Sequence, residues 1–539
     1  MDWIVILGYF ILILTVAYFV VRKRPAAPAL ESDDANTSSY FLGGRDLGWI
    51  AIAASLFASN IGSEHLVGLA GQGAAGNFVA SQFEILASFM LLLLGWLFVP
   101  FYLRTGVFTM PEFLEVRYSV TARNYLSWVS IAGYILTKIS VTIAAGGIVF
   151  VALLGVDFWT GAIAIVLITG AYTVLGGLRA VIYTDLVQMF ILIGGSIVLT
   201  IIGLDAVGGI DGLREHTTSE QLSLWRGMDD ADYPWTGILF GAPILGVWYW
   251  CTDQFIVQRV LAAKDLSHAR RGSIVAGYLK LLPMFIFVLP GVIAFALASD
   301  PASGFAFPTT DGQAEYDAAL PLLINYLLPS GLRGLVIAGL LAALMSSLSS
   351  VFNSCSTLFT IDIYKKWRPS TSDKQLVRVG QVVTILLVVL GLAWIPMLQV
   401  IEGGLFQKLQ SIQAYIAPPI AAVFLIGILS KTVNNKGALA ALFSGAVLGT
   451  LRLILEINKD LLSGFWLEVA EVNFLHFALF LFLVCSGVLF VVSYVTQSHR
   501  KELSSVFWAK GEPRSFNRWN AVLSVGLIIV VLILWLAFA

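Results

Sequence analysis

Residues 58–65 read ASNIGSEH, with long apolar sequence on either side. Asn60, Glu64 and His65 are an amide, an acid and an imidazole set around Gly62 and Ser63. In water they would be ordinary; inside a hydrocarbon layer they need a reason. A second polar cluster lies in "LAALMSSLSSVFNS", where Ser346, Ser347, Ser349 and Ser350 fall close together. On a helix 346, 349 and 350 share a face, with 347 beside it. Hydroxyl oxygens so placed suit a hard cation, yet membrane serines also let helices pack closely. The cluster by itself leaves both readings open. Further ionisable residues interrupt other apolar runs: Glu84, Lys138, Asp185, Asp253 and Lys280. A charge at the middle of a bilayer costs about 2.5–3.5 kcal/mol even on the lenient insertion scale, so it normally faces a cavity or a partner. For Lys138 and Asp253 taken singly, a structural pair or an interfacial position is the preferred reading. Asp185, in "YTDLVQ", would add an anionic ligand to the serines if the fold brings it near.

The elements that must carry these groups are transmembrane helices. Of 539 residues, 58% are hydrophobic and only 12% charged, with a mean hydropathy of +0.86. Soluble domains run near 25% charged, so this is an all-α polytopic membrane protein. At roughly 20 apolar residues per span, fourteen spans are expected. They lie near 3–21, 47–73, 79–103, 124–155, 158–176, 180–205, 237–259, 272–298, 333–360, 377–398, 405–430, 435–455, 470–497 and 519–538. The first lacks a basic start and is followed by Arg22, Lys23 and Arg24, which suits a retained anchor rather than a signal peptide. Most Lys and Arg fall in alternate loops, such as "VVRKRP", "QRVLAAKDLSHARRG" and "DIYKKWRPSTSDKQLVR", while the 206–236 loop is acidic. The bias orients the chain in a cell membrane with both termini outside. A net charge of −1 gives no reason to expect nucleic acid. Cys251, Cys355 and Cys485 form neither a disulfide framework nor a metal spacing. No nucleophile–base pairing or phosphate loop argues for an enzyme.

Two spans read as interrupted: the second at "SNIGSEH" and the seventh in "LGVWYWCTDQ". Backbone freed by a break is tolerated only where protein or a wet cavity satisfies it. Paired breaks at corresponding places in two halves point to a transporter site. Each of these spans opens a group of five, the pattern of an inverted repeat. Carbonyls at the end of a first half-helix carry the negative end of its dipole, which favours a small cation.

Long stretches closely resemble the sodium/glucose cotransporter branch of the solute:sodium symporter family: "SLFASNIGSEHLVGLAG", "LGWLFVPFYLRTGVFTMPEFLEVRY", "YTVLGGLRAVIYTD", "GVWYWCTDQFIVQR", "GYLKLLPMF", "LLAALMSSLSSVFNSCSTLFTIDIYKK" and "YIAPPIAAVFL". The resemblance implies a LeuT-like core of two inverted five-helix repeats, near 47–205 and 237–430. An N-terminal peripheral helix and loop (1–46), an outside loop (206–236) and C-terminal peripheral helices (431–539) complete the chain. It implies sugar contacts at Asn60, His65, Glu84, Tyr249, Trp250, Lys280 and Gln410, with Tyr249 as inner gate. Phe406 with Leu66 or Leu69 forms the outer lid. It implies a sodium site from the carbonyls of Ala58, Ile61 and Ala343 and the hydroxyls of Ser346 and Ser347. Asp185, with Ser346, Ser349 and Ser350, matches a second sodium site found in some members. Five oxygens fit a hard cation, by extension from calcium and magnesium.

Departures from the family's pattern bear on which sugar is taken. Gly246 stands where animal members have Thr and one bacterial member has Asn. Gln413 replaces a Thr, Leu86 an Asn, and Glu64 a Gly of some members. Gly246 leaves room for a water or a bulkier substituent. The function implied is sodium-coupled import of a glucose- or galactose-type monosaccharide, with two sodium ions per sugar. Its rivals are the same machine carrying myo-inositol or another polyol, and a sugar-gated sensor or channel. The partners implied are the sugar, sodium and the lipid bilayer.

Overall fold

The computed structural model describes residues 1–22, 34–62, 64–310, 312–398, 405–497 and 517–539. Helix dominates, as an open chain in a bilayer must satisfy its backbone polar groups within each segment. A short hairpin, Thr309–Thr310 against Gln313–Ala314, is the sheet among the described residues. Ten of the described helices are long and apolar enough to cross a membrane, eleven when Trp49–Asn60 and His65–Ala74 count as one bent span. The expected fourteen is not reached by this measure. The stretches at 158–176 and 180–205 count once in that measure because they follow each other without a gap over Phe158–Ala206, but they are two helices that meet at a kink at Gly177. The 124–155 stretch comprises Val120–Gly133, a π-helical turn at Tyr134–Ile139 and Ser140–Leu154. The 237–259 stretch is cut into Trp235–Phe240, Ala242–Gly246, a π turn at Val247–Thr252 and Gln254–Leu261.

The breaks have identifiable causes. After Trp49–Asn60 the chain turns extended at Ile61 (φ −74°, ψ 98°), whose N–H still donates to the Phe57 carbonyl. Beyond it the axis bends by 70°. In the seventh stretch Asp253 is extended (φ −77°, ψ 128°), and its carboxylate accepts from the Phe255 N–H at 3.1 Å. That side chain caps the restarted helix. The break thus falls at Asp253, after the aromatic run. Within Phe158–Ala206, Gly177 adopts φ 59°, ψ −160°, a region that residues with a Cβ avoid. A Cβ there would also run into the Tyr40 carbonyl.

Burial sorts the helices into centre and rim. The most apolar window of the Leu332–Trp367 span is 94% buried, whereas those of Asp2–Val20 and Arg518–Ala537 are 22% buried. The serine-bearing helix is therefore the axis of the molecule, while the first and last helices expose residues such as Ile4, Leu7, Ile529 and Ile533 in the manner of lipid-facing surface. The rim is still tied in. Asp2 accepts from the Gly331 and Gly334 N–H groups (2.6 and 3.1 Å) and from Arg333 Nε (2.8 Å), at the start of the central helix. At the other end of the chain, Trp535 Nε1 donates to Gln82 Oε1 at 2.8 Å. The start of the second stretch also meets the chain just after the seventh: Leu47 N–H donates to the Ala262 carbonyl (3.1 Å) and Lys264 N–H to the Leu47 carbonyl (3.2 Å).

Candidate functional site

The break at Ile61–Gly62 fixes the first wall of a central cavity. Gly62 N–H does not donate to the Ala58 carbonyl four residues back; it points to His65 Nδ1 at 3.4 Å. His65 therefore accepts on Nδ1 and carries its proton on Nε2, which faces Glu84 Oε1 at 3.2 Å. Lys280 Nζ donates to both Asn60 Oδ1 and Glu84 Oε2. Asn60 Nδ2 donates to the Tyr249 hydroxyl at 2.9 Å. One chain of contacts thus joins four of the expected spans, and all five side chains are buried. Buried charge is tolerable because it is paired and hydrogen-bonded.

These groups border one partly open central cavity. Its lining includes Asn60, His65, Glu84, Tyr249, Trp250 and Gln410. Lys280 reaches it through the network, with Nζ 5.4 Å from the centre of the Trp250 ring. Of the seven sugar contacts that the resemblance implies, six thus line one space and Lys280 joins them from just behind. The π turn at Val247–Thr252 carries Tyr249 and Trp250 side by side, and a second one, Glu64–Leu69, carries His65. Such turns are frequent at functional sites. Leu86, Gly246 and Gln413 line the same cavity, but Gly246 opens no gap. A Cβ added there would meet Met90 Cγ at 2.6 Å, so Met90 occupies the space expected to be free. Gln413 also lines a second cavity, with Lys138, Tyr134 and Trp248.

Aromatic residues cover the cavity on two flanks. Phe406 packs edge-on against Phe83, ring centres 5.6 Å apart, and its backbone lies against Gly68, where a Cβ would come within 2.8 Å of Phe406. The contact falls on the glycine between Leu66 and Leu69, the expected lid residues, both of which are buried. Residues 399–404, just before this helix, lie outside the described residues. On the other flank Lys138 Nζ sits 4.2 Å from the Tyr249 ring centre and 3.8 Å from that of Phe255, with Asp253 Oδ2 at 3.8 Å. Lys138 and Asp253 form the pair that the sequence favours, placed directly behind Tyr249. Ser63 and the Glu64 side chain lie outside the described residues.

The serine cluster divides between two environments. Ser347 Oγ donates into the break, to the carbonyls of Ser59 (2.8 Å) and Ile61 (3.2 Å). Ala343 sits one turn before it on the same helix and is buried, as is Ala58. Ser346 turns away from the break: its hydroxyl donates to Asp185 Oδ1 at 2.6 Å. Asp185 Oδ2 accepts from Ser55 (2.5 Å) and Ser59 (3.1 Å), and Ser59 Oγ lies 2.9 Å from Ser350 Oγ. Ser349 donates instead to the Ser346 carbonyl of its own helix at 3.0 Å. Of the set expected around Asp185, Ser346 bonds to it and Ser350 reaches it through Ser59.

Sequence reasoning missed Ser55, Ser59 and Arg259. The serines lie at i and i+4 in "SLFAS", one helix face leading into the break, a spacing that could have flagged them. Arg259 counts among loop cations in the sequence reading, yet it is fully buried and its Nε donates to Ser59 Oγ at 3.1 Å. Arg117, Arg123 and Arg270, counted the same way, are buried too. They bind main-chain carbonyls or carboxylates at helix ends.

Comparison with known proteins identifies the family and the fold. Residues 40–445 match the model of the sodium:solute symporter family. Sodium/glucose cotransporter 4 of Mus musculus is 39% identical over 92% of this chain and 76% of its own length. Sodium/glucose cotransporter 1 of Sus scrofa is 40% identical over 89% and 78%, and the sodium/myo-inositol cotransporter of Homo sapiens 38% over 94% and 75%. Among solved structures, a Na+-coupled sialic acid symporter in a substrate-bound, outward-open state superposes with a TM-score of 0.76 at 21% identity, over 92% of this chain and 98% of that one. A nucleobase-cation-symport-1 family transporter in a closed conformation gives 0.54 at 13%, over 86% and 96%. The fold is therefore LeuT-like. The chain belongs to the sodium:solute symporter family: it is a multi-pass, sodium-coupled transporter and not an enzyme.

Proposed function

We propose that this member of the sodium:solute symporter family imports a glucose- or galactose-type monosaccharide by alternating access, with two sodium ions per sugar. The observation that carries the reading is the buried Lys280–Asn60–Glu84–His65 network opposite Trp250. A hexose presents hydroxyls that both donate and accept, which an ammonium, an amide, an imidazole and a carboxylate can meet together. An indole face covers the apolar side of a sugar ring. The relatives named sodium/glucose cotransporter support the monosaccharide. Those named sodium/myo-inositol cotransporter, at nearly the same identity, support a cyclic polyol as the second reading.

In this reading one sodium ion sits at the break, between the Ala58, Ile61 and Ala343 carbonyls and the Ser346 and Ser347 hydroxyls. The other sits at Asp185 with Ser346, Ser349 and Ser350. Sodium at the break orders the segment that carries Asn60 and His65, so the sugar meets a preformed site, and the coupling must be reciprocal. Each charge moving down the membrane potential supplies about 2.3 kcal/mol per 100 mV. The bundle then rocks within two repeats, near 47–205 and 237–430, flanked by peripheral segments 1–46 and 431–539. Tyr249 and Phe406 close the inner and outer ways.

The test is uptake of labelled glucose and galactose into proteoliposomes under a sodium or a potassium gradient, for the unaltered protein and Gln410→Ala. Accumulation only with sodium, lost in the variant, is expected. Equal uptake in potassium defeats the coupling, and stronger competition by myo-inositol than by either hexose shifts the substrate to the polyol. For Asp185→Asn, the Hill coefficient for sodium should fall from about two to about one.

A further inference from the structure

Arg259 is among the largest fully buried side chains in the molecule, and nothing in the sugar or sodium reading uses it. Its Nη1 donates to the Phe255 carbonyl within its own half-helix, and its Nε to Ser59 Oγ at 3.1 Å. Its Nη2 is buried without a hydrogen-bond partner among the described residues. The Ser59 oxygen is also 3.1 Å from Asp185 Oδ2. One hydroxyl therefore separates the guanidinium from the carboxylate, close enough for strong attraction in a low-dielectric interior but short of contact. At the start of the same half-helix, Asp253 Oδ2 also lacks a hydrogen-bond partner among the described residues, with Lys138 Nζ 3.8 Å away. The region holds two carboxylates, Asp185 and Asp253, and two cations, Arg259 and Lys138. It is neutral by formal count before any sodium ion enters.

We propose that Arg259 is a resident counter-cation that competes with sodium for Asp185, so that filling this site is linked to displacement of the Gln254–Leu261 half-helix. The inference rests on the reading that Asp185 takes a sodium ion. A sodium ion beside Asp185 leaves the guanidinium facing a neutralised carboxylate and a second positive charge, in an interior where like charges repel strongly. The Asp253 carboxylate, just ahead of the same half-helix, is the nearest other anion. A shift of that half-helix, which begins directly behind Tyr249, would relieve the repulsion. When sodium leaves, Arg259 recovers its attraction to Asp185, so the emptied site is not left as an uncompensated buried charge, which would be costly. Arg259 is a positioning residue: it touches neither sugar nor ion.

The experiment is sodium titration of the purified protein, read as the sodium-dependent rise in thermal stability and as bound labelled sodium. Arg259→Gln keeps a donor for Ser59 but removes the charge; it should lower the half-saturating sodium concentration on the order of tenfold. Arg259→Lys keeps the charge and should stay within about twofold of the original. In an Asp185→Asn background, Arg259→Gln should move nothing. A folded Arg259→Gln protein with an unchanged or raised sodium midpoint overturns the proposal. If Arg259→Gln fails to fold, Arg259→Met is titrated in its place under the same criterion. If Asp185→Asn alone leaves the number of bound sodium ions and the midpoint unchanged, the sodium reading of Asp185 fails first. Loss of one ion in Asp185→Asn with no effect of Arg259→Gln removes only the competition.

Discussion

At the scale of single residues, the centre of this protein is a set of charges that make sense only as a set. Lys280 has two acceptors, Asn60 and Glu84, and Glu84 has two donors, Lys280 and His65. Removing the ammonium alone leaves a buried carboxylate short of a partner, a loss of about 3–5 kcal/mol for such pairs. Lys280→Met should therefore lower the melting temperature and raise the sugar half-saturation at least about tenfold, since hydrogen bonds to charged groups contribute about 1.5–3 kcal/mol. Pairing it with Glu84→Gln should recover much of the stability and none of the sugar binding. Melting curves and labelled-sugar binding on the two variants separate the structural role from the binding role. Binding that returns with stability would mean that the network holds the helices together and does not touch the solute.

At the scale of elements, function depends on where helices stop. The broken stretch at Ile61–Gly62 exposes carbonyls that an unbroken helix would have consumed, and Ser347 on the central helix reaches two of them. A different stop divides the Phe158–Ala206 run, and it rests on Gly177 with its positive φ against the Tyr40 carbonyl. Gly177→Ala combines backbone strain with a collision against main chain. Strain of this kind costs about 1–3 kcal/mol, so the purified variant should melt several degrees lower, with the sodium midpoint unchanged because Asp185 lies two turns on. A variant that melts normally would show that Tyr40 moves aside freely. Gly246→Ala is a contrast: what it meets is a side chain, Met90 at its Cγ, and not main chain, so the unbranched Met can repack and the variant should melt closer to the unaltered protein than Gly177→Ala does.

At the scale of the whole molecule, one deeply buried helix carries the hydroxyls while lightly buried helices face the lipid. The distribution of Lys and Arg sets how this body sits in the membrane, and we expect both ends of the chain outside. Epitope tags at residue 1 and residue 539 should both react with an impermeant reagent on intact cells. Labelling of either tag only after permeabilisation would reverse or break that topology. Four of the arginines behind the loop bias are buried, which leaves the expectation in place, because the rule concerns which end of a span is spared translocation and not exposure in the finished fold.

Composition and hydrophobic run length were enough to establish the class of the molecule, since a chain this apolar cannot coat itself in water. The resemblance carried by its motifs pointed to seven side chains, six of which line one cavity while Lys280 joins them through Asn60 and Glu84. Local chemistry marked the first break, because Gly62 sits among residues that compete for backbone hydrogen bonds. What only the tertiary structure decided is which distant groups complete one another. Ser59 and Asp185 meet because two helices pack together, Arg259 turns inward because its half-helix restarts at Asp253, and Met90 fills the space beside Gly246. Those pairings depend on helix rotation and on contacts between residues far apart in sequence. Neither leaves a trace in local periodicity.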